Sequence, residues 1–318
     1  LYVTNNSTVW FDGNTTSFIN NSAVGYGGAL YASDGSTVHF KGEKTHCLDN
    51  AAGERGGAIA IDQSKLLFAG EVFFHNNTGG YMGGALSVAD SSTTAWVGSL
   101  SFTENTATFG GAVAVYLKSN VSWSGNTSFK NNKAVLHGGA IFIDGAHLSW
   151  MGNTEFTFNS ASRGAALSAT SAADVFWSGT SGDTTFTANA AMIGGAIYIN
   201  REGMVTWTGN TTFDWNKASI AGGAVGSPAL DATVDGELMS FLTISGTTTF
   251  VDNVCERDGG AMSMAGGLSL EFDSMANVTF HRNSARAAGG AVFMAGSGIG
   301  PMFYRVNFTS NTAHIGGA

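Results

Sequence analysis

The chain has 318 residues, of which charged residues make up only 12%, with 14 Lys and Arg against 23 Asp and Glu for a net charge of −9. So few and so scattered cations exclude a nucleic-acid surface, and the lack of any run of 18 apolar residues excludes a membrane-spanning helix in this segment. Gly is abundant (45) and Pro nearly absent (2), so the polar positions fall to Asn, Ser and Thr, and salt bridges have little part in the surface.

The predicted elements repeat one pattern: an aromatic residue, two residues, Asn, then Gly-Gly-Ala and an aliphatic residue. Phe18-Ile19-Asn20-Asn21 runs into Gly27-Gly28-Ala29-Leu30, and Phe129-Lys130-Asn131-Asn132 into Gly138-Gly139-Ala140-Ile141. The last copy is Phe308-Thr309-Ser310-Asn311 with Gly316-Gly317-Ala318. Cutting after each Gly-Gly-Ala yields units 1–29, 30–58, 59–85, 86–112, 113–140, 141–166, 167–196, 197–224, 225–261, 262–291 and 292–318. A period of this size denotes a stacked solenoid, in which each unit buries its apolar face only against its neighbours. The chain starts at the position that follows Gly-Gly-Ala elsewhere and ends on Gly-Gly-Ala, so the sequence is expected to be excised from a longer polypeptide.

Within a unit, three segments alternate apolar and polar residues between Gly, Asn, Ser and Asp turns, which predicts three short strands. Strand one follows the glycines (Ile59-Ala60-Ile61, Ile141-Phe142-Ile143). Strand two ends on an aromatic (Phe40, Phe68, Trp96, Trp123, Trp150, Trp177, Trp207), and strand three runs into the Phe of the Phe-x-x-Asn box. Three strands in such a unit predict an all-β chain, a single parallel β-helix of about eleven coils, roughly 50 Å long at ~4.8 Å per coil. The glycines are expected at a tight corner, and the box Asn turned inward to bond backbone groups and the next Asn. Cys47, standing where other units have Phe, and Cys255, standing where they have Ala, are expected to be free core thiols.

Gly-Gly-Ala-[Ile/Leu/Val] paired with Phe-x-x-Asn resembles the repeat of the chlamydial polymorphic outer-membrane proteins, which are autotransporter adhesins with β-helical passengers. Related repeats occur in large surface proteins of algae and other protists. The resemblance covers the whole chain and implies a right-handed β-helix and an extracellular or cell-surface location.

Four features stand out from the scaffold. Asp34, Asp62 and Asp90 lie at the turn ending strand one in consecutive coils and form a candidate Ca²⁺ row, although Asp also suits turns by bonding local N–H groups. Asn14, Asn126, Asn210 and Asn277 are Asn-x-Ser/Thr glycosylation candidates at the corner before strand three. The outward residues of strand one carry no charge and include Tyr2, Tyr31, Phe142, Tyr198 and Phe293, which predicts a lateral contact face for self-association, other filament subunits, a glycan or a surface receptor. The ninth unit holds extra residues including Pro228, Asp231 and Asp235, read as a protruding loop between strands one and two. No acid/base pair or His/Cys cluster is evident, so neither an enzyme nor a cofactor beyond the Ca²⁺ candidate is expected. The favoured function is a structural rod of an extracellular filament, surface appendage or coat. The alternative is an adhesive passenger domain that binds glycan or receptor.

Overall fold

The computed structural model describes residues 1–178, 182–228, 239–265, 268–295 and 303–318, and among them there is no helix. Three parallel sheets run along the molecule. Sheet one collects the strand after each Gly-Gly-Ala, from Tyr2–Val3 to Val292–Ala295; sheet two runs from Thr8–Phe11 to Leu268–Phe272; sheet three from Thr15–Ile19 to Val306–Thr309. Sheets one and three have eleven strands and sheet two has ten, and each strand pairs with its counterpart one unit away. The chain is therefore a parallel β-solenoid.

Register places like on like. Phe102, Phe129 and Phe156 pair in sheet three, and Trp123, Trp150 and Trp177 in sheet two. Their rings stack at 4.8 Å (Phe102–Phe129) and 5.0 Å (Trp123–Trp150), the spacing of hydrogen-bonded strands. Cys47 takes the place of a Phe between Phe18 and Phe74, and Cys255 stands between Ala218 and Ala285. Both are free and buried, and burial pushes the Cys47 thiol far up.

The box Asn forms a second ladder. Asn132 donates from Nδ2 to Asn159 Oδ1 in the next coil (3.0 Å) and to the Phe102 carbonyl in the previous one (2.9 Å), and its backbone N–H also reaches Asn159 Oδ1 (2.9 Å). The same bonds recur from Asn50 to Asn283. Each amide thus satisfies buried backbone groups that would otherwise cost about 1–3 kcal/mol apiece.

The Thr of the Gly-Asn-Thr corner, Gly-Asp-Thr in the seventh unit, also points inward. Thr154, Thr184 and Thr211 are buried, and each accepts the indole N–H of the Trp one coil earlier: Trp123 to Thr154 at 3.1 Å, Trp150 to Thr184 at 3.0 Å and Trp177 to Thr211 at 3.0 Å. A buried Trp needs such an acceptor.

Gly138 and Gly139 divide the labour of the corner. Gly138 has φ of +64°, and a Cβ there would lie 2.1 Å from the Ile141 carbonyl oxygen; at Gly139 it would lie 2.3 Å from that of Ala165 in the next coil. The first supplies the left-handed turn and the second the close approach of coils.

The coil is not three-stranded throughout. A short fourth strand follows the box Asn in most units, as in Thr106–Phe109 and Lys133–His137. These strands form a five-stranded and a four-stranded sheet, joined through bridges of Ser160 and Arg163 in the sixth unit. Alternation is too short here to register as a strand in the sequence. The left-handed residue before the Asn (Asn131, φ 55°) turns the chain into it.

Candidate functional site

The fourth strand changes the meaning of the strand-one face. The residue just before each glycine pair is bridged to its counterpart in the next coil, in the order Tyr26, Arg55, Met82, Phe109, His137, Arg163, Ile193. The left-handed glycine folds this row back over the outward side of strand one. Met82 and Phe109 pack on a second small core of Ala89, Ala114, Tyr116 and Phe142. The predicted lateral face is corrected accordingly: Tyr2 is 61% exposed, but Phe142 is 6% and Tyr198 only 2% exposed. Tyr31 and Phe293 are half-buried. The uncharged aromatic row is largely an intramolecular contact.

Toward the N-terminal end this row closes on itself. Arg55 donates to Asp62 (Nη2–Oδ2 3.1 Å) and to the Tyr116 hydroxyl (3.1 Å), while Tyr31 donates to Asp62 (2.8 Å). The Arg55 guanidinium also lies 4.0 Å from the centre of the Tyr26 ring. Burial holds the Asp62 carboxyl above the usual range against the opposing pull of Arg55, and burial followed by the Asp62 hydrogen bond pushes the Tyr31 phenol up.

Those contacts dismantle the predicted Ca²⁺ row. Asp62 pairs with Ala89 in the sheet, whereas Asp34 and Asp90 sit one step further on in left-handed positions (φ 54° and 53°). Asp34 accepts hydroxyls from Thr4 (2.6 Å) and Ser33 (3.0 Å), and Thr4, then Ser33, hold its carboxyl below the usual range. Asp90 lines a separate groove with Gln63, Ser91, Leu117 and Lys118. Among the described residues no three His, Cys, Asp or Glu side chains come together as a metal cluster.

In the middle of the molecule the same row opens into a cavity of about 360 Å³. Its lining combines the aromatic rings of Phe109, Phe142 and Tyr198 with His137, Arg163 and Arg201, and with Asp144, Thr170, Ser171, Asn200 and Pro228; His137 stacks on Phe109 at 5.6 Å. Arg163 donates to His137 Nε2 at 3.2 Å, and His137 Nδ1 lies 3.2 Å from Ser168 Oγ. A guanidinium can only donate, so Nε2 accepts and the imidazole proton sits on Nδ1, bonded to Ser168. Burial, then Arg163 and Arg201, lower the His137 pKa to about 4 against the opposing effect of Asp144. His137 is therefore neutral at pH 7.

Neither Arg163 nor Arg201 has a carboxylate partner among the described residues. Asp144 accepts the Thr170 hydroxyl instead (2.8 Å). Arg201 and Ser171 are both left-handed corner residues (φ 51° and 54°), so the corner itself places them. A concave site with an aromatic wall, convergent polar groups and a strongly shifted His has the makings of a ligand site. The sequence marked Phe142, Tyr198 and Pro228 for other reasons; His137, Arg163 and Arg201 carried no mark. The signal that finds them is their place before the glycines and at the strand-one turn.

The remaining candidates fall as follows. Asn14, Asn126, Asn210 and Asn277 are all exposed. Asn126, Asn210 and Asn277 stand three residues before Phe129, Phe213 and Phe280, whereas Asn14 stands four before Phe18 and is one step out of their row. The extra residues of the ninth unit fall between Val225–Gly226 and Ser240–Ile244; Asp231 and Asp235 lie outside the described residues. No helix among the described residues is long and apolar enough to cross a membrane.

Fold and repeat together define a β-solenoid repeat protein. The family model of the Chlamydia polymorphic membrane protein repeat matches residues 15–33 and 126–144. Each match runs from strand three through the box Asn and the glycine corner into strand one, and the second contains His137, Phe142 and Asp144. No curated protein and no solved structure matches the chain.

Proposed function

We propose that this chain is a rigid, non-catalytic, surface-displayed scaffold of passenger type, which holds a ligand-contacting patch away from the cell that makes it. The observation that carries this reading is the uninterrupted stack. Phe, Trp and Asn ladders run through successive coils, and a solenoid stabilised only by neighbour contacts behaves as a stiff rod. The polymorphic membrane protein repeat supports a cell-surface setting.

The competing reading, a filament subunit that assembles laterally, leaned on the aromatic row of strand one. Burial of Phe142 and Tyr198 beneath the chain's own fourth strand removes most of that surface, so the adhesive passenger reading is preferred. Exposed Asn126, Asn210 and Asn277 would carry glycans if the protein is made in a eukaryotic secretory pathway. Protease treatment of intact producing cells tests the display: the chain should be cleaved from living cells, and full protection sinks the proposal. Electron microscopy of native material separates isolated tethered rods from regular fibres.

A further inference from the structure

We propose that the cavity between His137, Arg163 and Arg201 binds an acidic sugar, taking its carboxylate or sulfate between the two guanidinium groups. The nature of the ligand as an extracellular saccharide rests on the display reading above; its negative charge does not.

The first argument is charge. The protein is acidic, with net charge −9, yet among the described residues this cavity gathers Arg163 and Arg201 against a single carboxylate, Asp144. Asp144 is engaged by Thr170, and His137 is held neutral. Half-buried Arg163 and exposed Arg201 both line the cavity without a carboxylate partner among the described residues. Planar guanidinium groups match carboxylate and sulfate oxygens, and bonds to such anions are stronger than neutral ones.

The second argument is shape and wall chemistry. A volume of about 360 Å³ lies near the lower end of small-molecule sites, which span ~300–1,000 Å³. It is too small for a peptide strand and adequate for one or two sugar rings. One side is the aromatic edge of Phe109 and Phe142, and the rim offers Thr170, Ser171 and Asn200 as donors and acceptors for ring hydroxyls. Aromatic rings and hydroxyl-bonding groups in one lining suit the apolar faces and the hydroxyl edges of a pyranose. The geometry is built into the scaffold: His137 is fixed between Arg163 and Ser168, and Arg163 lies 6.0 Å from the centre of the Tyr198 ring.

The test is a titration of the full chain with three probes, followed by NMR: glucuronic acid, N-acetylglucosamine 6-sulfate and neutral N-acetylglucosamine. At least one acid should bind about tenfold or more tightly than the neutral sugar, and added salt should weaken it. The acid that binds tells carboxylate from sulfate. The double variant Arg163→Ala/Arg201→Ala should lose about tenfold or more in affinity for that acid. Arg201→Gln alone, at an exposed position, should lose part of it with an unchanged thermal melt. Equal binding of acid and neutral sugar, or an unaffected double variant, overturns the proposal. A third variant, Asp231→Asn/Asp235→Asn/Glu237→Gln, covers the chain's own acidic residues. If acid binds only after these are neutralised, the occupant is the ninth unit's loop and the external-ligand assignment fails. Surface cleavage of intact cells is read independently, so loss of binding with retained cleavage rejects the site and leaves the display reading standing.

Discussion

Two arginines occupy the same row, in the same place before a glycine pair, and meet opposite fates. Arg55 is closed in by Asp62, Tyr116 and Tyr26, whereas the Arg163 side chain, among the described residues, bonds only His137 and lines a cavity. The difference traces to two residues. Seven residues separate Arg55 from Asp62, and the residue seven on from Arg163 is Thr170. Tyr31, whose hydroxyl completes the Asp62 cluster, has Phe142 as its counterpart in the sixth unit. One scaffold position therefore serves cohesion in one coil and exposure of charge in another, and the choice is made by side chains outside the repeated words.

The largest way to disturb both regions is to cut what joins them. Asn132→Ala removes the rung between them: the Asn105 N–H loses its acceptor, Asn105 Nδ2 keeps only its bond to the Phe74 carbonyl, and the Phe102 carbonyl loses the amide donor. At about 1–3 kcal/mol for each orphaned group, the cost should be about 4 kcal/mol. Hydrogen exchange should show it as fast exchange in coils on both sides of residue 132.

Next comes the direct comparison. Arg55→Ala strands Asp62 in a largely buried site and should destabilise by about 3 kcal/mol. Arg163→Ala abandons no carboxylate and should cost under about 1 kcal/mol in denaturant melts. Equal losses would mean that the two arginines do the same work.

A graft should convert one region into the other. Thr170→Asp with Phe142→Tyr supplies Arg163 with a carboxylate, and that carboxylate with a phenol, as Asp62 and Tyr31 are arranged at Arg55. Acid-sugar affinity should then fall about tenfold through competition for the guanidinium, while the melting temperature falls slightly because the new carboxylate stands opposite Asp144 and removes its Thr170 donor. Undiminished affinity would place the anion elsewhere.

The smallest effect is the pH dependence that His137 gives the open region. His137 titrates near 4 in the folded chain against an ordinary value of 6.5, so between those values the unfolded state binds more protons. The stability it contributes is complete above about pH 6.5 and is lost as pH falls through about 4. Exchange of amides around residues 133–143, corrected for intrinsic rate, should quicken from pH 7 to pH 5. The effect should vanish in His137→Gln, and residues near Arg55 should not share it.

Much of the solenoid was legible because its core repeats. Phe, Trp, aliphatic and Asn positions recur once per unit, so a single unit teaches the rest. The fourth strand escaped because only one of its side chains per coil meets the strand-one face, and that residue changes from Tyr26 to Arg55 to Met82 to Phe109 without a common chemistry. A face read as exposed was therefore already covered. The Asp34, Asp62 and Asp90 row failed for a related reason. Turn lengths after strand one differ between coils, so equal spacing in sequence did not mean equal height in register. Thr154 and Thr184 carried no mark in the sequence, and only the neighbouring indole revealed their inward task. The cavity was illegible as a site because its cations come from two different corners.

The Asn ladder bears on how such a chain grows over evolutionary time. Every rung bonds the rung above and the carbonyl below in the same way, so the ladder registers only whole coils. Excising residues 141–166 would join Ala140 to Leu167 and bring Asn132 beneath Asn189, with every bond of the series available again. Removing half that length would leave an amide facing no partner. The molecule should therefore tolerate shortening or lengthening in single complete turns and in no smaller step, with reach adjusted like the links of a chain.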